Sequence, residues 1–166
     1  LDLSSLADGT LSITADVSDL AGNPATQASE TTRKDTAAPS IAISSDLFSL
    51  AAGETTTLTF SLSESSSNFT AADIAISGGS LSGFSGSNSF YTATFTPNAK
   101  STANGIISVA DGTFSDSAGN TNADGLDPDN SITLSIDTIG PSIALTSDLA
   151  VLAAGETTTI NFILSE

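Results

Sequence analysis

The stretch from Asp35 to Glu64 reads DTAAPSIAISSDLFSLAAGETTTLTFSLSE, and it returns from Asp137 to Glu166 as DTIGPSIALTSDLAVLAAGETTTINFILSE. The offset is 102 residues throughout (137 − 35 = 102), and of the 30 aligned positions 21 are identical and nine differ. A period of this length is too long for one turn of a solenoid and matches the size of one small domain. The sequence therefore predicts tandem domains with a common fold.

The two copies of this stretch divide the chain into three parts. Residues 35–136 form one complete repeat, because they run from one copy to the start of the next. Residues 1–34 are expected to be the C-terminal part of a preceding repeat, and residues 137–166 the N-terminal part of a following one. We expect the chain to belong to a longer polypeptide, in which neighbouring repeats are each other's partners.

The charge of the chain limits its partners. Nineteen Asp and Glu residues stand against three Lys and Arg residues, for a formal net charge of −16. A surface this acidic repels nucleic acid and anionic lipid, so neither is an expected partner. The sequence has no apolar run of 18 residues, so we expect no membrane insertion. Two interpretations of the charge stay open: a plain acidic surface, or one that bound cations partly neutralise.

Residues that the chain lacks exclude several kinds of site. It contains no Cys, His, Met or Trp. This removes thiol and imidazole nucleophiles and the usual zinc ligands. The sequence also lacks a nucleophile elbow and a phosphate-binding loop. We therefore expect that the protein is not an enzyme.

Alternation of apolar and polar residues predicts an all-β chain. The complete repeat contains short alternating segments separated by Gly, Asp, Asn and Ser, the pattern of an antiparallel two-sheet sandwich. Within strand F, Asp111-Gly112 is interpreted as a β-bulge. The predicted strands are A (41–44), B (55–64), C (73–77), D (81–84), E (90–96), F (105–115) and G (131–136). On this scheme residues 1–34 supply strands F and G of one repeat, and residues 137–166 supply strands A and B of another. The predicted fold is thus a series of tandem immunoglobulin-like two-sheet sandwiches.

Several motifs resemble a known family in their order and spacing. They are DTAAP (35–39), AAGETTTLTFSLSE (51–64), FTAADIAISGG (69–79), YTATFTPNA (91–99) and SDSAGN (115–120). Together they resemble the bacterial Ig-like repeats of giant biofilm-associated adhesins, with the RTX-type adhesins of Gram-negative bacteria the nearest match. The resemblance implies an extender module of a secreted or cell-surface protein that supports cell adhesion and biofilm formation. It also implies stiffening by calcium near the domain junctions.

Acidic residues gather where the fold would bring loops together. In an immunoglobulin-like sandwich the B–C and F–G loops lie at the same pole as the N-terminus. Closely packed carboxylates are unfavourable unless a cation lies among them, and an all-oxygen ligand set suits calcium. The candidate calcium ligands are Asp19, Asn23, Asp35, Glu64, Asp73, Asp116, Asn120, Asn122, Asp124, Asp137 and Glu166. The alternative is that these Asp and Asn residues only form turns, because their side chains cap their own backbone.

Two other functions remain open. A carbohydrate-binding sandwich would need exposed aromatic rings, and Phe69 and Phe84 are the candidates. A filament subunit is the other possibility, because the incomplete repeats at the two ends could complement each other between chains, giving head-to-tail self-association. The extender of a secreted or cell-surface adhesin is the preferred interpretation.

Overall fold

The computed structural model describes residues 2–124 and 127–166, so Leu1 lies outside it, as do Gly125 and Leu126 of the predicted F–G loop. The strands are β1 (Gly9–Ala15), β2 (Ala28–Lys34), β3 (Ile41–Ser45), β4 (Ser49–Ala51), β5 (Thr56–Ser66), β6 (Ile74–Ser77), β7 (Gly79–Pro97), β8 (Gly105–Val109), β9 (Ser131–Asp137), β10 (Ile143–Ser147) and β11 (Ile160–Leu164). Two single-turn 3₁₀ helices occur at Ala71–Asp73 and Pro128–Asn130.

The complete repeat is a two-sheet sandwich. One sheet has the order β3-β5-β7 and the other the order β4-β9-β8-β6. All neighbours are antiparallel except β4 and β9, which run parallel. In the letters used above, the sheets are A-B-E and G-F-C, with β4 as an extra edge strand beside G. This is an immunoglobulin-like arrangement, so the predicted fold class is confirmed.

Alternation along the strands builds the core between these sheets. In β5, Leu58, Phe60 and Leu62 are buried, whereas the intervening side chains are more exposed. Leu134 and Ile136 of β9 come from the opposite sheet and are also buried. Because successive side chains of a strand point to opposite faces, each strand contributes every second residue to the core.

The centre of the core is aromatic. Phe69, which follows β5, packs with ring-centroid distances of 5.9 Å to Phe60, 5.1 Å to Tyr91 and 5.2 Å to Phe114. The hydroxyl of Tyr91 donates a hydrogen bond to the carbonyl oxygen of Ser66 at 3.0 Å, which satisfies its polar end inside the domain. Phe69 therefore joins the two sheets instead of standing free in a loop.

Predicted strands D and E are the two arms of one extended stretch, β7. A Cβ atom added at Gly79 would collide with the carbonyl oxygen of Thr96, and one at Gly86 with that of Phe90. These close approaches show that the stretch doubles back on itself. Gly86 has φ +145°, a conformation that favours glycine, so the tight turn depends on it.

Two details of the prediction were wrong. Strand F ends at Val109, and Asp111-Gly112 forms a turn instead of a bulge within the strand. The short strand β4 was not predicted, because three residues with one buried side chain, Leu50, give no detectable alternation. It is held by pairing with β9, a contact distant in sequence.

Each end of the chain forms a two-stranded antiparallel hairpin. β1 pairs with β2, as expected for strands F and G, and β10 pairs with β11, as expected for strands A and B. The register Ile143↔Leu164 repeats Ile41↔Leu62 at the offset of 102 residues. The assignment of these hairpins to neighbouring repeats stays a prediction.

Candidate metal centre

The linker before β3 presents Asp35 at one pole of the complete repeat. Its side chain is 8% exposed, and Oδ2 lies 2.9 Å from Nη2 of Arg33. Its Oδ1 accepts a hydrogen bond from the backbone N–H of Ala37 at 3.3 Å. Asp137 makes the equivalent bond to the N–H of Ile139 at 3.1 Å. The short Asp side chain therefore turns the chain in the same way at both linkers.

Asp116 organises the turn after β8. Its Oδ1 accepts hydrogen bonds from the backbone N–H groups of Ala118 (2.9 Å), Gly119 (2.7 Å) and Asn120 (2.8 Å). Its Oδ2 accepts from Nδ2 of Asn120 at 2.8 Å, and the same amide nitrogen donates to the carbonyl oxygen of Asp35 at 3.3 Å. The Asn120 side-chain bond is the largest cause that lowers the pKa of Asp116, followed by the backbone bonds. The turn thus holds an ionised carboxylate beside the linker.

The linker, β5 and this turn bring three carboxylates together. Asp35, Glu64 and Asp116 each offer one oxygen, and these oxygens all lie within 4.8 Å of one another. Among the described residues this is the one acidic group of its kind. We call it the three-carboxylate group. The group offers only hard oxygen atoms as ligands. The single guanidinium nearby, that of Arg33, does not balance three negative charges, so the residues fit a calcium ion.

Two other predicted ligands, Asp73 and Asn122, have structural partners of their own. Asp73 accepts hydrogen bonds from Thr70, at 2.7 Å from the backbone N–H and at 3.0 Å from Oγ1, so it caps the short helix that precedes β6. Asn122 is 2% exposed and accepts from the N–H groups of Thr113 (2.8 Å) and Phe114 (3.0 Å). Asn122 therefore holds the backbone of residues 113–114 from inside the domain and lies outside the three-carboxylate group.

Asp124 lies in the loop that crosses the start of β3. Its Oδ1 accepts a hydrogen bond from the N–H of Ile41 at 2.7 Å, whereas Oδ2 is buried without a partner among the described residues. Burial raises the pKa of this carboxyl, the bond from Ile41 opposes that shift, and nearby Asp111, Asp127 and Asp129 reinforce it. Asp124 ties the loop to the strand and lies outside the three-carboxylate group.

The remaining predicted ligands belong to the terminal hairpins. Asp19 accepts hydrogen bonds from the N–H groups of Ala21 and Asn23, both at 2.9 Å, and from Nδ2 of Asn23 at 2.8 Å. This is the same kind of turn that Asp116 forms. Glu166 follows β11 and is exposed. The described residues around Asp19, Asp137 and Glu166 contain no second three-carboxylate group.

The linker threonines make contacts that were not predicted from the sequence. Oγ1 of Thr138 donates to the carbonyl oxygen of Asn98 and accepts from the N–H of Ser101, both at 2.8 Å. Its own N–H donates to the carbonyl oxygen of Ser101 at 2.9 Å. Thr36, at the other linker, donates from its N–H (2.9 Å) and Oγ1 (2.8 Å) to Oδ2 of Asp8. The recurrence of Asp-Thr at both linkers is the sequence feature that could have indicated these contacts.

The aromatic candidates for sugar binding are engaged in packing. A surface cavity of about 460 Å³ is lined in part by Phe69, Phe84 and Tyr91. Phe69 and Tyr91 are buried, and Phe84 stacks on Tyr91 with a centroid distance of 5.5 Å and an interplanar angle of 13°. Phe69 and Tyr91 are therefore core residues, and Phe84, which is partly buried, packs against Tyr91.

A family model described as bacterial Ig-like domain matches residues 35–135. The match covers more than half of the chain and coincides with the complete repeat, so the protein belongs to the bacterial Ig-like domain family. Domains of this family often occur in surface proteins and are often extracellular. No curated protein and no solved structure matches the chain. No helix in the described part of the chain is long and apolar enough to cross a membrane.

Proposed function

We propose that the protein is an extender segment of a large secreted or cell-surface bacterial adhesin, in which calcium stiffens the junctions between repeats. The observation that carries the proposal is the three-carboxylate group, because its members come from the linker, β5 and the turn after β8. A cation held there would join the linker to the body of the domain. In this role the chain is a spacer and catalyses no reaction.

The linkers favour a spacer over a flexible string. Thr138 is largely buried and is fastened to the loop between β7 and β8 of the complete repeat by three hydrogen bonds. One side of the junction is therefore already ordered by protein contacts. The other side carries Asp137 and Glu166, the repeats of Asp35 and Glu64. These residues would complete the same acidic group in the next repeat.

Calcium supplies the charge balance that the protein lacks at this pole. Asp35, Glu64 and Asp116 would hold the ion. Extracellular modules bind calcium with dissociation constants of about 10⁻⁴ to 10⁻³ M, so the junction would be filled outside the cell and not in the cytosol. Ligand at 100 times its dissociation constant stabilises the bound state by about 2.7 kcal/mol, which is enough to order a short linker.

The first experiment compares two matched turns by calorimetric calcium titration of the 166-residue chain. Asp116→Asn should weaken calcium binding at least tenfold, because it removes one of three ligand charges (about 1.4 kcal/mol per tenfold). Asp19→Asn makes the same chemical change in the same kind of turn, but without the other two carboxylates, and should leave the titration unaltered. Equal titrations for Asp116→Asn and the parent chain would remove Asp116 from the site. Asp116 would then be explained as a turn-forming residue only.

The second experiment tests stiffening directly. Small-angle X-ray scattering of three consecutive copies of residues 35–136 would be recorded in chelator and in about 5 mM calcium, a level above the expected affinity range. We expect the radius of gyration and the maximum dimension to rise towards those of a straight rod when calcium is added. Superimposable curves in the two buffers would contradict the calcium-stiffened extender.

A further inference from the structure

The chain has only three basic residues, Arg33, Lys34 and Lys100, and two of them stand immediately before the first linker. Nη2 of Arg33 lies 2.9 Å from Oδ2 of Asp35, which is the one ion pair among the described residues. Lys34 has a different role, because its Nζ donates to the backbone carbonyl oxygens of Ser4, at 3.0 Å, and Leu6. The two adjacent cations therefore have different partners: Arg33 contacts the three-carboxylate group, and Lys34 contacts backbone carbonyl oxygens near the N-terminus.

We propose that Arg33 is a resident counter-ion of the three-carboxylate group and weakens the binding of calcium at this junction. The inference rests on the proposed calcium role of the group. A guanidinium at hydrogen-bond distance from Asp35 neutralises part of the charge that attracts a metal ion. It also forms an ion pair with Oδ2 of Asp35, and calcium would have to share or displace this contact. The junction is thus partly ordered without calcium and less responsive to it.

The repeat shows that this counter-ion is not a general feature of the linker. Position 33 corresponds to Ser135 in front of the second linker (33 + 102 = 135), and position 34 corresponds to Ile136. Asp137 therefore has no basic residue at the place that Arg33 occupies beside Asp35. Because the same aspartate is preceded by a cation at one junction and by a serine at the other, the two junctions should differ in calcium affinity. Once the next repeat completes its acidic group, the junction with serine should bind the ion more tightly.

The experiment gives the first junction the residue of the second. Calcium is titrated calorimetrically into the 166-residue chain and into its variants Arg33→Ser, Arg33→Lys and Lys34→Ser. Arg33→Ser should bind calcium about five- to tenfold more tightly at low ionic strength, as expected for removing one unit charge near a divalent ion in a largely aqueous setting. The gain should shrink at about 0.15 M salt, because exposed charges are screened.

The other two variants separate a local effect from a general one. Arg33→Lys retains the charge and should bind calcium within about twofold of the parent chain. Lys34→Ser removes the same charge from the opposite face of β2, because successive side chains of a strand alternate, and should shift the affinity by less than about twofold. Equal gains for Arg33→Ser and Lys34→Ser would overturn the inference, because only the net charge would then matter.

Thermal unfolding in chelator gives a readout that does not need bound calcium. At low ionic strength, Arg33→Ser should melt below the parent chain, because three carboxylates then lie together without a counter-ion. Calcium should stabilise this variant more than it stabilises the parent, so the deficit in melting point should shrink when calcium is added. If the parent binds calcium and Arg33→Ser binds it equally, the inference fails and the proposed function stands. If the parent binds no calcium, the proposed function fails. If Arg33→Ser also melts at the same temperature as the parent in chelator, Arg33 is not a counter-ion of the group, and the inference fails as well.

Discussion

The hairpin β3–β5 and the hairpin β10–β11 are two copies of nearly the same sequence, yet they differ completely in burial. Both hairpins have the same register, with Ile43 opposite Phe60 and Leu145 opposite Phe162. Phe60 is 0% exposed, whereas Phe162 is 65% exposed. The difference is the second sheet, which covers β3–β5 and is missing from the described residues beside β10–β11. The sequence of the hairpin thus encodes an apolar face, and the second sheet of a complete repeat buries that face.

The turns Asp19–Asn23 and Asp116–Asn120 make the same point on a smaller scale. The N–H of Asn122 donates to the carbonyl oxygen of Phe114 at 2.9 Å, and the N–H of Ala25 donates to that of Val17 at 2.8 Å. This backbone hydrogen bond therefore recurs at the offset of 97 residues. Phe114 is 1% exposed and Val17 is 69% exposed. A turn forms from its own residues, but the side chain before it is buried only where a core exists.

The largest expected effect separates the two hairpins. Phe60→Ala should destabilise the complete repeat by about 3–5 kcal/mol, the usual cost of emptying a buried aromatic site. Phe162→Ala should change it by no more than about 0.5 kcal/mol, as for other exposed positions. Urea unfolding followed by tyrosine fluorescence suits this comparison, because the single tyrosine, Tyr91, is buried in the complete repeat. Equal losses for both variants would show that the second hairpin is covered in solution.

A smaller effect should separate the two turns. Asn122→Ala removes the acceptor of two backbone N–H groups, those of Thr113 and Phe114. A buried donor left without a partner costs about 1–3 kcal/mol, and of the two residues Phe114 is buried but Thr113 only partly so. We therefore expect a total loss at the lower end of the combined range, about 2–3 kcal/mol, by the same fluorescence measurement. Ala25→Asn places the same side chain at the equivalent exposed position and should have no measurable effect. An unchanged stability of Asn122→Ala would mean that water replaces the amide.

The smallest effect concerns pH and the loop that crosses β3. Asp124→Asn retains an acceptor for the N–H of Ile41 but removes the buried charge. Burial raises the pKa of Asp124 above that of the unfolded chain, so the folded state takes up this proton more readily. The parent should therefore gain stability relative to Asp124→Asn as the pH falls through the folded pKa towards about 3.9.

At pH 7, Asp124→Asn should melt at or slightly above the parent, and the advantage should disappear near pH 4. The exposed Asp148→Asn, in the turn between β10 and β11, controls for the loss of one negative charge. Melting curves of all three chains from pH 7 to pH 4 make the comparison. A lower melting point of Asp124→Asn at pH 7 would show that the ionised carboxylate itself is needed.

The sequence by itself determined the period, the all-β class and most of the strands. A 102-residue repeat is visible without structure, and alternation around Phe60 gives the inward face because a strand has a side-chain period of two. It also indicated that Asp35, Glu64 and Asp116 share a pole, from the loop order of the fold. Local residues fix the Asp116 turn, so its hydrogen bonds were foreseeable as the alternative to calcium binding.

Only the tertiary structure decided which acidic residues meet. Asp73 and Asn122 satisfied the same composition rule as Asp35 and Glu64, but nearby backbone N–H groups engage them elsewhere. The parallel pairing of β4 with β9 depends on the positions of strands far apart in sequence, and no local pattern announces it. Burial follows the same rule, because two hairpins of nearly the same sequence are buried or exposed according to whether a second sheet packs against them. Local sequence specifies each strand and turn, whereas contacts between distant parts of the chain decide which strands and side chains pack against it.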